Sequence, residues 1–266
     1  MPDLDALLRL AVDAAEGAGA LLQAGLHEAR TSVEQKSSAT DMVTEMDRAA
    51  ESFIVSTVRA ARPDDGLLGE EGSHEAGSSG VRWIIDPLDG TTNYLYGFPA
   101  YGVSVAVDVD GEVVVAAVHD PSHRETFTAI KGRGAWCNGV ALHVHGPPTV
   151  ATALVGTGFS YLPDRRAWQA EVVARIMSAV RDIRRAGAAS VDLCWVAAGR
   201  MDVFFERGLQ LWDFSAGALV AAEAGAAVGD LEGGPPSSDI VVAAPPSIDA
   251  AFRRLLVDAE AAVTAE

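Results

Sequence analysis

The eleven residues Trp83-Ile84-Ile85-Asp86-Pro87-Leu88-Asp89-Gly90-Thr91-Thr92-Asn93 hold the densest chemistry in the chain. A run of bulky apolar residues reads as a buried strand that ends at Asp86. Pro87 then blocks continuation of the ladder, and Asp89 stands where a helix N-cap would be. Two carboxylates and the Leu88 carbonyl are thereby brought around one point, and hard divalent cations such as Mg²⁺ take such oxygen ligands. The free N–H groups of Gly90, Thr91 and Thr92 would face the same point from the positive end of a helix, which suits a metal-bound phosphate. Alone, a D-x-x-D is also what a capped surface turn looks like. A purely polar turn, however, does not need four bulky apolar residues leading into it.

Two further acidic clusters bear on that choice. Gly69-Glu70-Glu71-Gly72 puts acids at the end of another predicted strand, and Trp212-Asp213 opens a predicted helix with Phe214-Ser215-Ala216-Gly217 behind it. Each is bland by itself. With Asp86 and Asp89 they supply Glu70 and Asp213, enough ligands for a two-metal site of the kind that clamps a phosphoryl group.

These residues need a scaffold, and the pattern of the chain describes one. Leu4, Leu7, Leu8, Ala11, Ala15, Ala18, Leu21, Leu22 and Leu26 recur at three- and four-residue steps, one face of an amphipathic helix. Thr44-x-x-Asp47 resembles the start of a second helix with Ala50, Phe53, Ile54, Thr57 and Val58 inside, ended by Pro63. Gly66–Gly69 and Val81–Ile85 read as buried strands around a mobile Gly/Ser-rich loop from Gly72 to Gly80. Alternating valines from Tyr101 to Val118 around Asp110-Gly111 predict a β-hairpin, and Asn138-Gly139 predicts another. The second half alternates: strands at 153–155, 181–185, 201–205 and 240–242, and helices at 165–180, 191–198, 214–224 and from Ile248 onward. The reading is one layered α/β domain over residues 1–266, with no internal repeat.

Composition sets limits. The 266 residues carry 20 Lys+Arg against 37 Asp+Glu, a formal net charge of −17, which argues against nucleic acid or an anionic membrane as the main partner. A hydrophobic share of 49% calls for a folded core rather than disorder. Cys137 and Cys194 form no C-x-x-C pattern and suit a reducing compartment. No apolar run reaches the ~18 residues of a membrane span, and the acidic Met1-Pro2-Asp3-Leu4-Asp5 lacks the order of a signal peptide, so the expectation is a cytoplasmic protein.

The strings Trp83-Ile-Ile-Asp86-Pro-Leu-Asp89-Gly-Thr-Thr and Trp212-Asp213-Phe-Ser-Ala-Gly217 resemble the two signature motifs of the inositol monophosphatase family, and Gly69-Glu70-Glu71 matches its third acidic element. The likeness runs in collinear order through Lys36-Ser37-Ser38, Val43-Thr44-x-x-Asp47, Gly156-Thr157-Gly158-Phe159 and Glu206-Arg207-Gly208, so it spans residues 36–244. It implies a layered α-β-α-β-α sandwich of the inositol monophosphatase and fructose-1,6-bisphosphatase type. It also implies a Mg²⁺-dependent phosphomonoesterase, hydrolysing myo-inositol monophosphate by direct attack of a metal-activated water, and a homodimer.

Carried over residue by residue, the resemblance implies that Glu70, Asp86 and the Leu88 carbonyl hold one Mg²⁺ while Asp86, Asp89 and Asp213 hold a second, with Glu70 helping to position a third. Thr91 and Asp47 match the pair that orients and deprotonates the attacking water. The Gly90 and Thr91 amides would hold the phosphate, and Glu206, Ala189 and Asp213 the substrate hydroxyls, with Asp89 and Thr92 completing the substrate-binding set. Leu88 and Tyr94 replace a commoner Ile and Phe, and Ser215 stands where Ala is more usual. The strips Ser73–Gly80 and Asp230–Asp239 do not match closely, and there substrate access or dimer contacts could differ.

Rival substrates keep the chemistry: fructose 1,6-bisphosphate, histidinol phosphate, or the 2′-phosphate of NADP. A bisphosphate needs a second basic pocket, for which Arg165, Arg166, Arg184 and Arg185 are candidates, while Glu206 could take histidinol's ammonium. A reading of another class is a regulatory partner of the transcription machinery. A purely regulatory protein would not require the full set Asp47, Glu70, Asp86, Asp89, Thr91 and Asp213.

Other signals are weaker. Leu88-Asp89-Gly90-Thr91 resembles the D-x-D-G-T loop of aspartyl-phosphate enzymes, but position 87 is Pro87, which cannot attack phosphorus. Gly17-x-Gly19 lies within a helical pattern, and no G-x-x-x-x-G-K-[ST] loop occurs. Pro121 keeps His119 and His123 from sharing a helix face, and His143 and His145, read on one strand, lack a third ligand. Arg181, Arg184 and Arg185 read as an ion-pair or dimer surface.

Overall fold

The computed structural model of the chain describes residues 2–32, 39–146 and 149–264. Lys36, Ser37 and Ser38 lie outside the described residues, as do the side chains of Val43 and Thr44.

Two long helices come first, α1 (Leu4–Ser32) and α2 (Ala39–Ala61). A first group of elements follows: β1 (Gly66–Gly69), β2 (His74–Glu75), β3 (Val81–Asp89), α3 (Thr91–Tyr96), β4 (Gly102–Val109), β5 (Glu112–Asp120), β6 (Glu125–Ile130), β7 (Gly134–Cys137) and β8 (Val140–Ala141). The second group is β9 (Leu154–Thr157), α4 (Pro163–Ile176), β10 (Asp182–Arg184), α5 (Ala189–Ala197), β11 (Val203–Glu206), α6 (Leu211–Glu223), β12 (Ala227–Gly229), β13 (Val241–Ala244) and α7 (Asp249–Thr264). The large sheet runs in the order β2-β1-β3-β4-β5-β6-β7-β8 and the small one β10-β9-β11-β13-β12.

Alternation along the strands explains the layering. In β3, Trp83 and Ile85 join Leu7, Ala11, Leu22, Ile54 and Val58 of α1 and α2, whereas Ile84 between them faces Val191, Cys194 and Val220 of α5 and α6. The far sides of α5 and α6, with Leu193, Val196 and Phe214, cover Phe204 and Val241 of the small sheet. The opposite face of that sheet, with Val155, Phe205 and Val242, packs on Val172 and Ile176 of α4 and Phe252 and Leu256 of α7. The result is the expected α-β-α-β-α sandwich. Because β3 beyond Arg82 and the pair α5/α6 are buried on both faces, their sequences are mostly apolar rather than alternating.

Local chemistry sets the details. Asp110 (φ 55°) with Gly111 (φ 91°) and Asn138 (φ 48°) with Gly139 (φ 79°) take the left-handed conformations of tight hairpin turns, as Asp-Gly and Asn-Gly predict. A Cβ on Gly17 would stand 2.3 Å from the Phe53 ring, so this glycine lets α1 and α2 pack closely and has nothing to do with nucleotides.

Several expectations need correction. β3 does not stop at Asp86; its ladder to β4 steps from Asp86↔Ser104 to Asp89↔Gly102, an irregularity that passes Pro87 through without asking for its missing N–H. α2 begins at Ala39, ahead of the Thr44 signal. Leu21 is 39% exposed, because it sits one position off the buried stripe. The 72–80 loop contains the edge strand β2 and is pinned by hydrogen bonds from Ser73 to Glu51 and from Ser79 to Asp65. His143 and His145 lie in irregular chain rather than a strand. Among the described residues no helix is long and apolar enough to cross a membrane.

Candidate active site

The carboxyl end of β3 is the hub. Asp86 is 1% exposed, and its Oδ1 accepts the Leu88 amide at 3.0 Å, which curls the chain so that the Leu88 side chain enters the core while its carbonyl accepts Thr91 Oγ1 at 3.1 Å. Gly90 follows with φ 86°, and a Cβ there would meet the Ala100 carbonyl at 2.9 Å, so only glycine fits this corner. Gly90, not Asp89, is the N-cap of α3, and it offers no side-chain cap. Asp89 is instead turned to the start of α5, accepting Ser190 N at 2.7 Å and Ser190 Oγ at 2.6 Å on Oδ2.

Three other elements converge there. β1 runs parallel to β3 with Gly69 beside Ile85, so Glu70 emerges next to Asp86. Asp213 is the third residue of α6, where its Oδ2 accepts Gln210 N at 2.7 Å. β11 ends at Glu206 and α5 begins at Ala189. Together Glu70, Asp86, Leu88, Asp89, Gly90, Thr91, Ala189, Glu206 and Asp213 line one cavity of about 280 Å³. Asp47 and Thr92 of the expected set do not line it. The Thr92 hydroxyl faces Tyr161. Asp47 sits behind on α2, 3% exposed, with Oδ1 lacking any hydrogen-bond partner.

The electrostatics are those of crowded, poorly solvated carboxylates. Burial, then Glu70, Asp89 and Asp213 nearby, drive Asp86 well above the usual carboxylate range. Burial also raises Glu70, and raises Asp89 against the opposing pull of the Ser190 donors. Asp213 is pushed to about 7, by burial first and Asp89 second. Asp47 is pushed to about 8, by burial and then by Glu71, Glu70 and Glu51. Glu206 reaches about 8 through burial and the neighbouring Asp192, which is itself 1% exposed and raised to about 8. Acids kept from ionising by desolvation and mutual repulsion are what a cation would relieve.

Sequence reasoning passed over several residues here. Glu51, one turn after Asp47, accepts Glu71 N, Ser73 N and Ser73 Oγ, and so fixes the loop that presents Glu70. The i, i+4 spacing of Asp47 and Glu51 was the available signal. Arg207 lines the cavity beside Glu206, is held by both Glu260 oxygens (2.7 and 2.6 Å), and lies 5.8 Å over the Trp168 ring. Asp192 could have been noticed as a carboxylate inside an apolar helix. Of the four arginines considered for a second anion pocket, Arg185 alone lines the cavity. Arg184 pairs with Asp182, Arg166 donates to the Ser160 and Tyr161 carbonyls, and Arg165 belongs to a separate groove. His123 bonds Asp120 at 2.7 Å and His119 faces Thr126 at 3.0 Å.

The profile of the inositol monophosphatase family matches residues 3–261 of the chain. The chain belongs to that family. A Nus factor SuhB of Pseudomonas aeruginosa is 43% identical over 233 residues, covering 85% of this chain and 86% of that protein. An inositol-1-monophosphatase SuhB of Mycobacterium tuberculosis is 45% identical over 205 residues, 74% of this chain and 71% of the relative. The solved structure of Mycobacterium tuberculosis SuhB superposes with a TM-score of 0.85 at 38% identity, covering 97% of this chain and 98% of the other. The protein is thus a phosphatase of the inositol monophosphatase type, in a family that depends on Mg²⁺.

The residues present fit such a cation by the chemistry of their donors. Glu70, Asp86, Asp89 and Asp213 share one cavity with the Leu88 carbonyl, an all-oxygen donor set. Among the described residues no three of the acids already close on one point at ligand spacing, their oxygens being turned to Leu88 N, Ser190 and Gln210 N.

Proposed function

We propose that the chain hydrolyses myo-inositol monophosphate to inositol and phosphate. The observation that carries this is the meeting in one small cavity of the acids Glu70, Asp86, Asp89 and Asp213 with the Gly90–Thr91 corner and the half-buried Glu206. Two to three Mg²⁺, held by Glu70, Asp86, the Leu88 carbonyl, Asp89 and Asp213, would neutralise the phosphate and acidify the attacking water.

The chain's own groups do the rest. The Gly90 and Thr91 amides would donate to the phosphate oxygens, because the first amides of a helix have no acceptors inside it and Gly90 brings no side-chain cap. Thr91 Oγ, anchored on the Leu88 carbonyl, orients the water for in-line attack, and Asp47 behind it accepts the proton. With its proton affinity raised to about 8, Asp47 in its ionised form is a far stronger base than an ordinary carboxylate. Glu206, Ala189 and Asp213 receive the hydroxyls of the leaving polyol. Phosphate release from inositol 1-phosphate with and without Mg²⁺ tests the reading, and absence of release would refute it.

Fructose 1,6-bisphosphate finds less support, since of the four arginines considered for a second phosphate only Arg185 reaches the cavity. The same reading takes the chain as one domain that works as a cytoplasmic homodimer without nucleic acid. A second reading, binding to the transcription machinery, rests on the name Nus factor carried by the Pseudomonas relative. Stoichiometric capture of RNA polymerase with no hydrolysis of any monoester would favour it.

A further inference from the structure

Asp89 lines the cavity, but Ser190, which holds it, does not. Ser190 is fully buried in the first turn of α5 and gives Asp89 Oδ2 two donors at once, its amide at 2.7 Å and its hydroxyl at 2.6 Å. The amide is one of those that a helix start leaves without an acceptor, so any residue at 190 would supply it. The hydroxyl depends on serine, since an alanine there would keep the amide bond alone. Its 2.6 Å is the length of an O–H donor on an ionised carboxylate, a bond roughly twice as strong as one between neutral groups. The approach of α5 is opened by Gly102, which stands opposite Asp89 in the β3–β4 ladder and on which a Cβ would meet Val191 Cγ2 at 2.7 Å. The neighbouring acids are held by main-chain donors, Asp86 by the Leu88 amide and Asp213 by the Gln210 amide. Among the described residues, Asp89 is the one of these three that takes a side-chain hydroxyl. With Oδ2 taken by both donors, the carboxylate cannot rotate without breaking them, and Oδ1 is the oxygen left to face the cavity.

We propose that Ser190 is a positioning residue for the metal site: its hydroxyl fixes Asp89 from behind, prearranges that carboxylate for Mg²⁺, and so sets the Mg²⁺ concentration at which the site fills. This rests on the reading above that Asp89 is a metal ligand. Groups that orient a ligand from outside the coordination sphere change metal affinity by about 10–100-fold when removed. Ser190→Ala deletes one oxygen and adds no bulk, so the buried start of α5 is not crowded by the change. Ser215 supplies the control, a buried hydroxyl two residues beyond Asp213 that donates to the Leu211 carbonyl rather than to a carboxylate.

The test is calorimetric titration of the parent chain, Ser190→Ala and Ser215→Ala with Mg²⁺ in the absence of substrate, followed by phosphate release from inositol 1-phosphate across a range of Mg²⁺ concentrations. Ser190→Ala is expected to weaken Mg²⁺ binding by about tenfold or more, and Ser215→Ala to stay within about twofold of the parent. The Mg²⁺ concentration for half-maximal release should rise in Ser190→Ala by the same factor as Kd, while kcat at saturating Mg²⁺ stays within about threefold, because the hydroxyl touches no reacting atom. A Kd in Ser190→Ala within about threefold of the parent overturns the proposal. So does an equal loss in Ser215→Ala, which would mark a general loosening of the buried helices rather than the orientation of one ligand. A parent chain that takes up no Mg²⁺ would refute the metal reading and this proposal together. A parent chain that binds Mg²⁺ but releases no phosphate would count against the function proposed above, while the calorimetric comparison still decides the role of Ser190.

Discussion

Asp47→Asn should make the protein more stable at alkaline pH while removing its activity. The Asp47 carboxyl is 3% exposed, Oδ1 has no partner, and burial with Glu71, Glu70 and Glu51 around it raises it to about 8. In the unfolded chain it titrates near 3.8. Between those values the folded state binds more protons than the unfolded state, so stability falls as pH rises. Each unit is worth about 1.36 kcal/mol, so from pH 5 to pH 8 this one group costs on the order of 3–4 kcal/mol. Asn cannot ionise and is flat over that window. Whatever constant penalty the amide incurs, the stability gap between Asp47→Asn and the parent should widen in favour of Asn by about 2–4 kcal/mol between pH 5 and pH 8. Urea unfolding in the presence of a chelator measures it. A gap that changes by less than about 0.5 kcal/mol would refute the reasoning about this buried acid. If Asp47 accepts the proton as proposed, kcat of the variant should fall by about 10²–10⁴-fold.

Three other outcomes follow from the same geometry. Because Asp86, Asp89 and Glu70 are raised and Asp213 stands at about 7, Mg²⁺ must displace protons, so its stabilising effect should be larger at pH 8 than at pH 6. At a hundredfold excess over Kd the gain is about 2.7 kcal/mol, a Tm rise of about 5–10 °C, and equal rises at the two pH values would contradict the account. Glu260→Gln breaks the two-pronged contact with Arg207 that ties α7 to the end of β11, and denaturation should show a loss of about 1–2 kcal/mol. Gly90→Ala forces a side chain onto the Ala100 carbonyl at a positive φ, for a loss of about 1–3 kcal/mol that calorimetry of unfolding would record.

The layers and the clustered acids could be read before any coordinates, and the reasons are physical. Valines alternating around Asp110-Gly111 encode the two-residue period of a strand, Glu70, Asp86 and Asp89 follow apolar runs, and Asp213 heads one, so the direction of each run fixes where the acid emerges. What escaped depended on long-range pairing. Pro87 stays inside β3 only because β3 carries one extra residue there, Pro87 and Leu88 together standing opposite Val103 of β4, which a local rule about proline does not foresee. Glu51 and Arg207 serve residues from other elements, Ser73 and Glu260, and their spacing in sequence says nothing of those partners. The family resemblance marks Asp47 as a catalytic group, but its lack of a partner at Oδ1 and its raised proton affinity come from burial among Glu51, Glu70 and Glu71.

The most direct test of the central claim is phosphate release from inositol 1-phosphate, with fructose 1,6-bisphosphate, histidinol phosphate and NADP alongside, with and without Mg²⁺, for the parent chain and Asp89→Asn. The account predicts Mg²⁺-dependent release, selective for inositol 1-phosphate, that falls by about 10²-fold or more in Asp89→Asn while the variant unfolds cooperatively like the parent. Turnover in Asp89→Asn near that of the parent, or release indifferent to Mg²⁺, would contradict it.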